Sequence, residues 1–335
     1  MCNRMRVLAG DIGGTKVLLQ LAEFAGGEYR TIAEQRFPSA AYDGLLPIVR
    51  EFLRSTDSAS SLVPDAACFG IAGPITDGAG GGQTARVTNL PWLVESAQIK
   101  RELAIPRVRL INDFQAIGYG VEALAPQDFV TLQAGQRQAR APCAVLGAGT
   151  GLGQGLLVWE GDHYESIATE GGHADLAPTD ELQVELLRYL RQRYGRVSYE
   201  RILSGPGLTD LYSFFLARGQ AANADLLQAE DPAAAISSAG LENSDSAAVA
   251  ALQLFVKVYG AQAGNVALGC LARGGVYVAG GIAPKILPAL TDGAFIRAFA
   301  DKGRMSGLLS AFPVHVIINA RVGLIGAALV ASRLK

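Results

Sequence analysis

Short unbroken apolar runs alternate along the chain with longer stretches whose apolar residues fall on one helix face. In the first half, "RVLAGDIGGTKVLLQLAEF" reads as strand, turn and strand, "GLLPIVREFLRS" as a helix, "DAACFGIAGPI" as a buried strand, "VESAQIKRELAI" as a helix and "RVRLINDF" as another strand. The plan starts again at Ala144. There, "AVLGAGTGLGQGLLVWEG" is strand, glycine turn and strand, residues 246–272 form a long Ala-rich helix, and "GGVYVAGGI" is a buried strand. The alternation predicts an α/β protein, and the repeated plan, with a glycine turn in each first hairpin, predicts two related lobes facing one another across a cleft. The last strand and helix, "VHVIINARVGLIGAALVASRL", are expected to cross back, giving a small domain over residues 1–122 completed by 315–335 and a large domain over 123–314. Residues 218–245, rich in Ala, Ser, Asp and Asn, read as an exposed helical insertion.

Length agrees with two domains, since 335 residues exceed the roughly 250–300 at which one core stops growing. No stretch approaches the roughly 18 uninterrupted apolar residues of a membrane span, and "MCNRMRVLAGD" holds no long apolar region with a cleavage site, so a soluble cytoplasmic protein is expected. The 29 Lys and Arg nearly balance 31 Asp and Glu without a basic block, which argues against nucleic acid as a partner. Cys2, Cys68, Cys143 and Cys270 lie far apart, three of them in apolar runs, a pattern that fits reduced core thiols better than disulfides or a metal cluster.

The stretch "DIGGTK" admits two readings. It is a plain hairpin turn, needing a glycine or two at positive φ, or a turn whose N–H groups, Thr15 hydroxyl and Asp11 carboxylate converge on a phosphate and its Mg²⁺. A Walker loop is excluded by spacing and by the strand that follows; "GAGTGLGQG" lacks the GxGxxG register and also leads into a strand, so a dinucleotide fold fails as well. HExxH, GxSxG and metal-spaced Cys/His clusters are absent from the sequence. Four further constellations remain. Asn112 and Asp113 end a strand, as a general base or as a helix cap. Glu170 and His173 flank two glycines, as partners for a small polar ligand or as an ordinary loop. Glu200 stands at an expected helix start, where the helix dipole alone accounts for a carboxylate. Gly280 and Gly281 end a buried strand, permitting close approach of a flat group or simply a turn.

In order, DIGGTK, FGIAGPI, TNLPW, INDF, GAGTGLG, EGGHADL, ERILSGPGL, YVAGGI and KGRMSGLLSAFPVHVI resemble bacterial glucokinases of the proteobacterial and cyanobacterial type over about Val7 to Leu329. No cysteine-rich zinc motif follows His173, and no helix-turn-helix fits before Val7, which separates the chain from the ROK kinases and repressors. The resemblance implies a two-lobed actin-like ATPase (ribonuclease H-like) fold that closes on sugar and ATP, and ATP-dependent phosphorylation of glucose at its 6-hydroxyl. It implies that Gly13, Gly14, Thr15 and Lys16 face the transferring phosphate, with Asp11 directed at Mg²⁺ through water. Gly149, Thr150, Gly151 and Gly153 would hold the rest of the triphosphate, and Gly280 and Gly281 would border adenosine. Around glucose it places Asn112, Asp113 as general base, Glu170, His173 and Glu200, with Thr88, Asn89, Gly73 and Pro74 at the sugar's entrance. A homodimer is implied too. The alternatives are a kinase for glucosamine, mannose or N-acetylglucosamine, and a non-catalytic sugar-sensing protein.

Overall fold

The computed structural model describes residues 4–25, 28–56, 63–78, 81–221 and 224–335; Cys2 lies outside them. In chain order the elements are β1 (Met5–Ile12), β2 (Lys16–Ala25), β3 (Glu28–Pro38), α1 (Leu45–Thr56), β4 (Ala66–Ile71), β5 (Ile75–Asp77), β6 (Gln83–Arg86), β7 (Leu93–Glu95), α2 (Ser96–Leu103), β8 (Val108–Asn112) and α3 (Asp113–Val121). There follow β9 (Phe129–Gln133), β10 (Cys143–Ala148), β11 (Leu152–Glu160), β12 (His163–Thr169), α4 (Glu181–Tyr194), α5 (Gly205–Ala217), α6 (Pro232–Leu241) and α7 (Ser246–Cys270). The chain ends with β13 (Gly275–Ala279), α8 (Leu287–Thr291), α9 (Ala294–Ala300), α10 (Ser306–Leu309), β14 (Val314–Ile317) and α11 (Val322–Arg333).

Two compact units result. The first comprises residues 1–125, 164–168 and 320–335, and the second 126–163 and 169–319. The first unit's main sheet runs β3-β2-β1-β4-β8, with β1 antiparallel to β2 and parallel to β4, and β4 parallel to β8. In the second unit β11-β10-β13-β14 repeats the plan: β10 is antiparallel to β11 and parallel to β13, β13 is parallel to β14, and β9 closes the edge antiparallel to β14. The short strands β5, β6 and β7 form a separate antiparallel sheet.

Alternation along β1 covers both faces of the first sheet. Leu8 and Ile12 join Leu19, Phe52 and Phe69 in one core, while Val7 and Ala9 join Ile111, Tyr119, Leu324 and Ala328 in another. The all-buried strand β4 follows from this, because a strand covered on both faces cannot alternate with polar residues. On the second of these faces α11 lies against α3. A Cβ at Gly326 would come within 1.8 Å of the Ala116 carbonyl, so the two helix backbones touch and only glycine fits. Helix α3 is thereby fixed on its sheet before any functional group is added.

Two expectations need correction. The strand "VHVI" does not cross back: it is β14, between β13 and β9, with Val314 and Val316 buried in the second unit's core, and the returning segment starts at Ala320. An apolar four-residue strand suits either sheet, and its spacing cannot say which. Nor is 218–245 a purely exposed insertion. Of its described residues, α6 buries Ile236 and Ala239 in the same core as α5 and α7; its Ala and Ser side chains are small enough for close helix packing, which the polar composition concealed. Residues 222–223 of that stretch lie outside the described residues.

Cys68 and Cys143 are buried and Cys270 partly so, all free thiols. Burial pushes Cys68 up to about 12 and Cys270 up to about 11, which keeps both protonated and unreactive. Among the described residues no helix is long and apolar enough to cross a membrane.

Candidate active site

In the first unit the singled-out residues gather at the C-terminal ends of β1, β4 and β8, where open α/β sheets bind ligands. Asp11 is on β1, paired with Gly70 of β4, and the Asp113 Cα lies 3.8 Å from where a Cβ on Gly70 would stand. Burial raises the Asp113 carboxyl from 3.8 to about 6, and the neighbouring Asp11 charge pushes the same way against the Phe114 N–H, which donates to Asp113 Oδ1 at 2.9 Å. Burial also raises Asp11, with Lys16 opposing. Two facing carboxylates with raised pKa values form a site prepared for a proton or a cation.

Strand β8 stops at Asn112 because its side chain caps α3. Asn112 Oδ1 accepts from Phe114 N at 2.8 Å, and Gln115 Oε1 accepts from Asn112 N at 3.2 Å, a closed capping box. Asn112 Nδ2 donates to the Gly73 carbonyl at 3.4 Å. The cap reading of Asn112 is therefore realised, and its side chain also hydrogen-bonds the Asp113 carboxylate, which lowers that carboxyl against the effect of burial. Pro74 follows Gly73 and is exposed. Thr88 N donates to Ala72 O at 2.8 Å, and Asn89 sits at φ 64.

The turn between β1 and β2 does not use positive φ at Gly13 or Gly14. Gly14 is closely packed instead: a Cβ there would stand 3.0 Å from the Thr88 carbonyl, so a side chain would press that loop back by a few tenths of an ångström. Ser39, which no motif in the sequence marks, is wholly buried behind this turn. Its Oγ donates to the Gly13 carbonyl at 2.9 Å and its N–H to the Thr15 carbonyl at 3.1 Å, while Gly13 N donates to Lys16 O at 3.0 Å. With both carbonyls tied back, the Gly14 and Thr15 N–H groups are left without an acceptor among the described residues. Successive free N–H groups in a turn are the arrangement that can receive an anion. Ser39→Ala is expected to loosen the turn and to destabilise the protein by about 1–3 kcal/mol, since the Gly13 carbonyl loses its side-chain partner. Denaturant unfolding checks this, and unchanged stability would mean that the Ser39 hydroxyl does not hold the turn.

The second unit holds the remaining residues. The turn Gly149–Gly153 joins β10 to β11; Gly149 N donates to Gly151 O and Gly205 N to Gly149 O, each at 2.8 Å. Before the turn, the Tyr259 hydroxyl accepts from Ala148 N at 3.0 Å, and burial pushes this phenol far up, keeping it protonated. Thr150 is exposed within the turn. Gly280, at φ 84, ends β13, and around Gly281 the space is open.

Glu200 lies in a short 3-10 turn, Tyr199–Arg201, ahead of α5, whose first residue is Gly205, so the helix dipole does not account for it. Its Oε2 accepts from Leu152 N at 2.9 Å, and a Cβ on Gly151 would stand 2.4 Å from that same oxygen. A side chain at 151 would push the Glu200 carboxylate aside and off the Leu152 N–H. His173 Nδ1 lies 3.6 Å from Glu200 Oε1 and His173 Nε2 3.7 Å from Glu170 Oε2, so the imidazole stands between two carboxylates, near enough to attract and too far to hydrogen bond. Glu170 is 85% exposed against 31% for Glu200. Glu200 is thus the held member, and Glu170 is free to meet a ligand. Arg196 Nη2 donates to the His173 carbonyl at 2.7 Å and fixes the loop.

Two α/β units of one topology fit the two-domain α/β fold of sugar kinases, and the first carries two half-buried carboxylates beside a turn of unpaired N–H groups. The family model for glucokinase matches residues 8–334. The chain is 46% identical to a glucokinase of Nostoc sp., covering 98% of this chain and 99% of that one, and 44% identical to a glucokinase of Synechocystis sp., covering 97% and 98%. Among solved structures, glucokinase from an Antarctic psychrotroph matches with a TM-score of 0.85 at 31% identity over 98% of each chain. The chain belongs to the glucokinase family and is an enzyme of that kind.

Proposed function

We propose that the enzyme transfers the γ-phosphoryl group of ATP to the 6-hydroxyl of D-glucose, with Asp113 as general base. The observation that carries this is the half-buried Asp113 carboxyl, raised to about 6 with the Asp11 charge nearby, at the C-terminal ends of β8 and β1, the two strands that flank β4. A base of that pKa is ionised at neutral pH and still accepts a proton readily.

In the first unit, Gly13 to Lys16 meet the transferring phosphoryl group, and Asp113 orients the 6-hydroxyl with Asn112, Thr88, Asn89, Gly73 and Pro74 around the sugar. In the second, Glu170, His173 and Glu200 accept from or donate to sugar hydroxyls, Gly149, Thr150, Gly151 and Gly153 hold the remaining phosphates, and Gly280 and Gly281 border adenosine. As the O6–P bond forms and the bond to ADP breaks, the hydroxyl proton passes to an Asp113 carboxylate oxygen. The transition state is loose, so orientation by Asp113 contributes alongside its basicity.

Mg²⁺ suits Asp11. Its buried carboxylate is short of positive partners, Lys16 being the one cation that lowers it. Among the described residues no cluster of three His, Cys, Asp or Glu forms a closed metal cage, which fits an ion held by one carboxylate, water and phosphates. When bound, Mg²⁺ would neutralise phosphoryl charge.

A panel of glucose, glucosamine, mannose and N-acetylglucosamine, compared by kcat/KM with Mg-ATP, tests the reading. Glucose should lead, and a higher value for another sugar would reassign the substrate. The proposal extends to a cytoplasmic homodimer, for which light scattering on the purified chain should give twice the 35.1 kDa chain mass.

A further inference from the structure

We infer that Gln115 is a positioning residue for phosphoryl transfer, locking the helix start that aims Asp113 to the strap Tyr164–Ala168. The inference rests on the Asp113 reading above. Asp113 is the first residue of α3, and the first turn of any helix has N–H groups without intrahelical acceptors and frays most easily. In an ordinary capping box the glutamine is held at one end only. Here both ends are taken: Gln115 Oε1 accepts from Asn112 N at 3.2 Å, and Gln115 Nε2 donates to the Ser166 carbonyl at 3.0 Å. Turning the amide over would set donor against donor at Asn112 and acceptor against acceptor at Ser166, so one orientation alone satisfies both.

The strap itself is anchored along the same helix edge. The Tyr119 hydroxyl donates to Glu165 Oε2 at 2.5 Å, and Tyr164 N donates to Glu122 Oε1 at 2.9 Å. Glu122 Oε2 in turn holds Arg333 of α11 at 2.9 Å. Residues 115, 119 and 122 are spaced i, i+4, i+7, one face of the helix, and meet 166, 165 and 164 in antiparallel order. Ser166 cannot shift without moving partners along the whole helix. The strap is therefore a fixed reference, and Gln115 transfers that fixity to the residue before Asp113. Glutamate, the other common residue at this capping position, could replace the bond to Asn112 but would set a carboxylate against the Ser166 carbonyl.

The test uses the full-length enzyme with Gln115→Met, which keeps length and loses both bonds, Gln115→Glu, which keeps the bond to Asn112, Asp113→Asn, and the double variant Gln115→Met/Asp113→Asn. Both Gln115 variants should lower kcat five- to twentyfold and leave the KM values for glucose and ATP within threefold. On the Asp113→Asn background, Gln115→Met should cause less than a twofold further loss, because a residue acting through Asp113 has nothing left to position. A merely structural Gln115 would lower the melting temperature with kcat unchanged, or would lower kcat by the same factor on both backgrounds; either result overturns the inference. Should Gln115→Met fail to fold, Gln115→Glu decides alone by its split between kcat and KM, parental kcat overturning it. An Asp113→Asn enzyme with parental kcat would instead refute the base assignment itself, which keeps the two failures distinct.

Discussion

Asp113→Asn should lower kcat by roughly 10² to 10⁴ while the protein stays folded and its KM for glucose changes little. The amide keeps the shape and the oxygen that accepts from Phe114 N at 2.9 Å, and removes the negative charge and with it the capacity to take a proton. In the parent enzyme the same group should govern the acid side of the pH profile. Its carboxyl is raised to about 6, chiefly by burial and further by Asp11, and the working form is the carboxylate. Below about pH 6, kcat/KM should therefore fall with falling pH, about tenfold per unit for one proton. Asp11 is raised too, so the limb belongs to the pair. A profile flat from pH 7.5 to pH 5, or an Asp113→Asn enzyme within tenfold of parental kcat, would remove Asp113 from the mechanism.

The raised carboxyl has a stability consequence of opposite sign. A folded-state pKa above the unfolded value means the native protein binds the proton more tightly. The corresponding stability is full below about pH 3.8 and is lost as pH rises through about 6. A rise from 3.8 to about 6 corresponds to a cost on the order of 3 kcal/mol at neutral pH, relative to an ordinary carboxyl. Asp113→Asn should then be more stable than the parent in denaturant at pH 7.5, with the gap closing near pH 4. Lost activity with gained stability is the signature of a functional buried charge.

Much of this was legible in the chain. The period of the apolar runs gave both sheets, and the glycine turns marked their first hairpins because strand-turn-strand leaves few alternatives at that spacing. Asn112 shows where such reading divides: its residue type suits a cap and a ligand equally, and the structure uses it as a cap. Ser39 and Gln115 were not legible. Each acts through backbone groups: Ser39 on Gly13 and Thr15, 26 and 24 positions away, and Gln115 on Asn112, three positions away, and on Ser166, brought close by folding over 51 positions. Ser39 lies in no pattern of its own, and Gln115 completes an Asn-x-x-Gln capping pattern that marks a helix start without pointing to Ser166. Strand β14 was misassigned for a related reason, since a short apolar strand carries no information about which sheet it completes. The pairing of Gly151 with Glu200 had a trace in the sequence, a glycine and a carboxylate each in its own motif, but nothing there indicated that one made room for the other.

That pairing supports the second large effect. Glu200 serves two neighbours at once, accepting from Leu152 N at the end of the second glycine turn and facing His173 at 3.6 Å. Glu200→Ala removes both services. The Leu152 N–H loses its acceptor, an omission that costs about 1–3 kcal/mol, and His173 loses the carboxylate 3.6 Å from its Nδ1. The expected outcome is a 10²- to 10³-fold drop in kcat/KM for glucose together with a three- to tenfold rise in the KM for ATP. Glu200→Gln separates the two. Its amide oxygen can still accept from Leu152 N, so the turn and the KM for ATP should return to within twofold of the parent. Its lost charge cannot be replaced, so kcat/KM for glucose should remain at least tenfold down. If both variants raise the KM for ATP equally and spare kcat/KM for glucose at saturating ATP, Glu200 belongs to the phosphate turn alone. The sugar contacts would then have to be sought in Glu170 and His173, whose alanine variants would carry the loss for glucose without it.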